Sequence, residues 1–155
     1  MVGDLRCADL VADERVWSTL AVMSAIRQRN VALILARELA VNVATPMWVW
    51  DEEGTLVYYN DHVAALLGTP HELDIRELAE LSQFQPEDLD GNPIATEDLP
   101  SAVATKRHEP AHRELRIVGR DGVRRTLTVS AFPLFARGGT FVGALSVFWQ
   151  RDGQA

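Results

Sequence analysis

The stretch from Met47 to Gly68 constrains this chain more than any other. A short apolar run, Met47 to Trp50, ends in Asp51-Glu52-Glu53-Gly54-Thr55; a second run, Leu56-Val57-Tyr58-Tyr59, ends in Asn60. Two runs of strand length split by a glycine-containing turn read as a hairpin. Asp61 to Leu67 then reads as a short helix, with Asn60 or Asp61 at its start and Gly68 at its end. A short polar side chain accepts a hydrogen bond from an orphan N–H at a helix start. Glycine enters the left-handed conformation that closes a helix without steric cost.

A chain of 155 residues is sized for one domain and can bury a working core without disulfides or metal. Cys7 is the single cysteine, so no internal disulfide forms. No apolar run reaches the roughly 18 residues that span a bilayer. The N-terminus has an acid at Asp4 and no apolar signal segment. The expectation is a cytoplasmic protein. The net charge of −7 is unevenly spread: residues 41–105 carry thirteen acids against Arg76 alone, and residues 106–155 carry nine bases against four acids. Charge patterning of this kind is ordinarily two neighbouring surfaces that neutralise each other; an acidic patch that docks a basic partner is the sharper alternative. The bases are scattered along strands rather than clustered with aromatics, which argues against nucleic acid.

Residues 13–44 contain neither Pro nor Gly and read as one long helix, or two with a break near Arg29-Asn30. Val16, Leu20 and Met23 form one stripe, Val22 and Ile26 another, and residues 31–41, Leu33 and Ile34 among them, are apolar almost all round. Thr45-Pro46 ends the helix, because a residue before Pro disfavours the helical basin. Such a helix needs a cover, its own sheet or a second copy. Unbroken, it is about 42 Å long, more than a compact domain of this size needs. That favours a homodimer through Val16, Leu20, Met23, Ile26, Leu33 and Ile34. Arg27 and Asn30 interrupt the stripes, so it is no long heptad coiled coil.

Residues 69–95 read as loop with short helical pieces around Ile75 to Leu81. Thr96 to Ala104 is helical, and Pro100, tolerated only in a first turn, moves the regular start to about Leu99. Three strands follow at about 112–119, 124–134 and 140–149, joined at Asp121-Gly122 and Gly138-Gly139. The organisation is a helical dimerisation segment at 1–43, a sheet domain at 44–150 and a tail at 151–155.

Strand, Asp-x-x-Gly turn, strand ending in Asn, short helix and Gly, in that order, resemble the opening of a PAS domain. Asp90-Gly91-Asn92-Pro93-Ile94 before Glu97-Asp98-Leu99-Pro100 is similar to the entry of that family's central helix. Arg113 to Arg120, Thr126 to Leu134 and Gly143 to Trp149 look like its last three strands. The resemblance implies an α+β fold: an antiparallel sheet of about five strands flanked by short helices, with an N-terminal dimerisation helix. It also implies that the concave sheet face encloses a ligand site. Alternation along each strand, set in phase by that pattern, then turns Trp48 and Trp50 inward, with Val57 and Tyr59, Leu115 and Ile117, Leu127, Val129 and Ala131. On the last strand it selects Gly143, Leu145, Val147 and Trp149. Leu66, Leu67, Phe84, Leu99 and Val103 close the helical side. Ala102, Ala104, Ala131 and Gly143 are small enough to leave room, and Tyr59 is the best polar anchor for an apolar ligand. A filled core without a ligand is the plain alternative, since large apolar residues on one sheet face are core in most proteins.

The family's light-sensing flavin members carry a reactive Cys in the region matching Ile75 to Gln85, and its haem members a His on the central helix. This chain has neither, so no haem and no covalent flavin is expected, and no cofactor is assigned. His62, His71, His108 and His112 are isolated, and no zinc spacing, P-loop or GxGxxG is present. Ser101, Ser130 and Ser146 lack a nucleophile-elbow context, and Glu52-Glu53 and Glu97-Asp98 sit where turns and helix starts favour acids. The expectation is a non-catalytic sensory module that binds a small hydrophobic molecule; the alternative is a constitutive protein–protein module. No kinase, cyclase or DNA-binding segment follows Trp149, so the chain either is a piece of a longer one or signals through a partner protein.

Overall fold

A computed structural model describes residues 31–69 and 72–151. Residues 31–42 are helical (α1). The hairpin β1 (Met47–Asp51) and β2 (Leu56–Tyr59) leads into helix α2 (Asp61–Leu66). Two 3-10 segments, Leu78–Phe84 and Thr96–Asp98, precede helix α3 (Pro100–Arg107). The long strands β3 (Ala111–Val118), β4 (Arg124–Phe135) and β5 (Phe141–Gln150) complete one antiparallel sheet in the order β2-β1-β5-β4-β3. This is the expected α+β architecture.

Local chemistry sets the joints. Asp51 Oδ1 accepts from Glu53 N and Thr55 N, both at 2.9 Å, and turns the chain between β1 and β2. Asn60 caps α2 by accepting from Val63 N at 3.2 Å. Gly68 closes that helix at φ 75°; a Cβ there would sit 2.5 Å from the Asp121 carboxylate in the β3–β4 turn, so only glycine lets the two loops meet. Pro100 occupies the first turn of α3, where its missing N–H has no intrahelical partner to lose.

Both faces of the sheet are covered over β1 and β5. On the inner face Trp48 and Trp50 pack with Leu115, Ile117, Leu127, Val129 and Phe148 beneath α2, α3 and the first 3-10 segment. On the outer face Met47, Val49, Leu145 and Val147 pack against Leu33, Ala36 and Ala40 of α1. Directly opposed residues share a face, and Trp48 pairs with Ser146, Trp50 with Ala144. The inward residues of β5 are therefore Ala144, Ser146 and Phe148. Leu145 and Val147 lie under α1, and Trp149 is 47% exposed, contrary to the expected phase. A strand buried on both faces reads as a continuous apolar run, and that removes the polar alternation that would set its phase.

A register shift between Val49 and Trp50 has a similar effect on β2: Trp48 opposes Tyr59 and Trp50 opposes Leu56. Leu56 and Tyr59 pack on the inner core, and Val57, expected there, is exposed. The residues at 13–30, and with them Val16, Leu20, Met23 and Ile26, lie outside the described residues, as does His71.

Candidate functional site

Beneath the 3-10 segment and α3 the inner face borders a cavity of about 50 Å³. Its sheet side is Trp48, Leu115, Ile117, Leu127, Val129 and Phe148. Its helical side is Leu67, Leu81, Phe84 and Pro86, with Leu99, Pro100 and Ser101 at the α3 entry. The lining is apolar apart from Ser101, whose hydroxyl accepts from Trp48 Nε1 at 3.1 Å and lies 2.8 Å from Ser146 Oγ. That chain satisfies three buried polar groups at once. Edge-to-face contacts of Trp48 with Trp50, at 5.2 Å, and with Phe148, at 4.7 Å, fill the layer beside it.

Among the expected ligand residues, Trp48, Phe84, Leu99, Leu115, Ile117, Leu127 and Val129 come together around this void. Trp50, Tyr59 and Leu66 belong to the surrounding core without lining it, and Val103 is half-buried outside that cluster. Leu145, Val147 and Trp149 are turned away with the outer face of β5. The Tyr59 hydroxyl accepts from Leu73 N at 3.1 Å, so it holds the loop after α2 rather than standing free in the interior. The small residues do not make the room. Ala104, Ala131 and Ala144 pack on one another and seat α3 on the sheet. At Gly143 a Cβ would collide with the Trp50 carbonyl, so the glycine serves the close approach of β5 to β1. Leu81, Pro86, Pro100, Ser101 and Phe148 were not foreseen; Phe148 was recoverable only with the phase of β5.

The segment that walls the cavity is latched from outside. Arg120, in the β3–β4 turn, donates to Asp74 Oδ1 at 2.8 Å and to Gln83 Oε1 at 2.5 Å, with its guanidinium 5.6 Å from the Phe84 ring centroid. Arg107 pairs with Asp98 at 3.4 Å, and Arg124 meets Glu87 at 3.2 Å without hydrogen-bond alignment. The acidic middle of the chain and its basic end thus neutralise each other across the helical side. The clearly shifted carboxyls among the described residues, Asp88 and Asp121 on turns and Glu80 in the first 3-10 segment, do not line the cavity. Asp121 is lowered to about 2, chiefly by the side-chain hydrogen bonds from Arg125. Asp88 is lowered first by the Asn92 N–H and Glu80 first by the Arg76 N–H. Among the described residues no group of three His, Cys, Asp or Glu could hold a metal ion, and no helix is long and apolar enough to cross a membrane.

The model of the PAS domain family matches residues 44–150, and the chain belongs to that family. PAS domains are typically sensory and interaction modules rather than catalysts. Among solved structures the chain is similar to a LOV protein of Rhodobacter sphaeroides, at TM-score 0.60 and 15% identity, over 79% of this chain and 68% of that one. It is similar to the PAS domain of a Colwellia psychrerythraea protein at TM-score 0.54 and 19% identity, over 77% and 96% of the two chains. The light-state dimer of the fungal blue-light photoreceptor Vivid matches at TM-score 0.52 and 12% identity, over 70% and 79%. No curated protein sequence matches this chain.

Proposed function

We propose that this PAS domain is a cytoplasmic, non-catalytic sensor that takes a small hydrophobic molecule into the inner cavity and signals through a partner protein. The observation that carries the reading is the void itself. Protein cores are close-packed with few voids larger than a water, and this one is apolar-lined and sits under the least regular wall of the fold, the 3-10 segment Leu78–Phe84. An apolar ligand gains burial there and gives up few hydrogen bonds. Such a ligand is contacted by Phe84, Leu81 and Leu115 among the lining side chains.

The same reading makes the protein a homodimer through residues 13–41. In the described part of that segment, Leu33 is turned onto the chain's own sheet, while Ile34, Leu35 and Leu39 remain exposed. A contiguous apolar stripe of this kind marks an interface, and the Vivid match is itself a dimer. A constitutive interaction module is the second reading, favoured by the edge-to-face packing of Trp48 with Trp50 and Phe148 in the core. Native mass spectrometry with thermal-shift screening of small hydrophobic molecules separates the two. A retained molecule, or a melting temperature raised by an added one and not raised in Leu115→Phe, supports the sensor. Dimers with no retained molecule and no shift from any compound leave the interaction module.

A further inference from the structure

Among the described residues the carboxamide of Asn60 is the most connected buried side-chain group. It is 6% exposed. Its Nδ2 donates to the carbonyl of Ala40 at 3.1 Å and of Thr45 at 2.7 Å; its Oδ1 accepts from Met47 N and Val63 N, each at 3.2 Å. Two donors face two carbonyls and one oxygen faces two N–H groups, so only this orientation of the amide satisfies every partner. The four partners belong to four pieces of structure: the last turn of α1, the link after it, the start of β1 and the first turn of α2. Helix capping needs only the oxygen. The nitrogen does something else: it takes a carbonyl from the end of α1 that would otherwise have no intrahelical donor.

The two halves of this side chain also reach two different regions. Through Val63 the oxygen holds α2, whose C-cap Leu67 lines the cavity, and through Met47 it holds the strand that carries Trp48. Through Ala40 the nitrogen holds the helix that exposes Ile34, Leu35 and Leu39. We propose that Asn60 is the joint that passes a change in the cavity wall to α1. The inference rests on the sensor reading in taking the cavity as input and α1 as output. A rigid amide with all four positions used cannot follow α2 without drawing the end of α1 with it.

The halves can be cut apart. In Asn60→Asp an oxygen still caps α2, for which Asp serves as well as Asn, but both N–H donors are lost and a carboxylate faces two carbonyls. Asn60→Ser is the second variant should that one fold poorly; its hydroxyl retains the cap and is too short to hold Ala40 as well. Hydrogen exchange on the full chain is expected to quicken by about tenfold at residues 36–42, with Val63 to Leu67 unchanged, because a net hydrogen bond or two is lost at one place only. The transmission is read with Val129→Ile, one added methylene at the cavity. It changes exchange at 36–42 with Asn60 present and leaves it unchanged in Asn60→Ser. The proposal is overturned by equal quickening at α2 and α1, by no change at α1, or by a Val129→Ile effect that persists in Asn60→Ser or is absent with Asn60 present. Failure of the sensor reading registers separately, as the lack of any ligand-raised melting temperature.

Discussion

The two faces of one sheet are finished in different ways. The inner face is closed by its own chain: α2, α3 and the 3-10 segments leave Trp48 3% and Trp50 0% exposed. The outer face is half finished. The helix α1 covers Met47, Val49, Leu145 and Val147, while Phe132 and Trp149, farther along the same face, stay 46% and 47% exposed. The outer face is apolar over β1 and β5, where α1 lies, but over β3 and β4 it carries Glu114, Arg116, Thr126 and Thr128 opposite the inward Leu115, Ile117, Leu127 and Val129. A closed face stabilises the monomer and holds a cavity, whereas a face left apolar and open is suited to another surface.

Truncating one tryptophan on each face breaks this comparison most directly. Trp48→Ala removes two edge-to-face contacts and the Ser101 hydrogen bond, and should cost about 3–5 kcal/mol in urea unfolding. Trp149→Ala should stay within about 0.5 kcal/mol in the monomer, the range of ordinary surface changes. Comparable losses at both positions would show that the outer face is as much core as the inner.

The next effect belongs to the outer layer alone. Ile34→Glu with Leu39→Glu puts two charges on the exposed stripe of α1 without touching Leu33, Ala36 or Ala40 beneath it. Losing two buried apolar side chains from an interface should weaken dimerisation by about 100-fold or more, read by light scattering across a dilution series, with the monomer's urea midpoint little changed. A dimer of unaltered affinity would remove α1 as the interface.

How far the faces were legible in the sequence follows from the same contrast. The turns were readable because each rests on one residue's chemistry: Asp51 bonds the N–H groups ahead of it, Asn60 caps α2, and Gly68 adopts a left-handed φ. Strands β3 and β4 were placed in correct phase because their inward residues alternate with polar ones, as in Leu115, Arg116 and Ile117. Strand β5 carries no such marks: from Val142 to Phe148 every residue is buried. Its phase came from analogy and was off by one, which exchanged Leu145 and Val147 for Ser146 and Phe148. The bulge that replaces Val57 by Leu56 left no local signature at all. Room was expected from Ala102, Ala104, Ala131 and Gly143, yet Ala104, Ala131 and Gly143 serve close backbone packing, and the void lies among large side chains.

One enlarging substitution on each face sharpens the comparison at smaller scale. Leu115 borders the void, so Leu115→Phe should fit with a loss below about 1.5 kcal/mol, the range of tolerated swaps. Leu145 is clamped between β1 and α1, and Leu145→Phe should cost about 1–3 kcal/mol by overpacking. The reverse order in urea unfolding would mean that the inner core has no room to give and that the slack lies under α1.

The smallest expected effect is at the rim of the inner face, where the β3–β4 turn packs on the end of α2. Arg125 donates to Asp121 through two nitrogens, at 2.9 and 2.6 Å, and the Arg120 N–H in the same turn reaches the Leu67 carbonyl at 2.8 Å. The Asp121 carboxyl is held at about 2, below its ordinary 3.8, first by the Arg125 hydrogen bonds and then by the Val123 N–H. A folded-state value below the unfolded one means that the contribution is fully present above about pH 4 and is lost as pH falls toward 2. The pair is partly exposed and exchanges with water, so its contribution is modest and is screened by salt. In Asp121→Asn the side chain still accepts from Val123 but no longer titrates. Melting temperature measured from pH 5 to pH 2 should therefore fall less steeply in the variant than in the parent, and the gap should narrow in high salt. Parallel acid limbs would show that the turn is held by its backbone bonds and by Gly68 alone, and that its ion pair contributes nothing to closing the inner face.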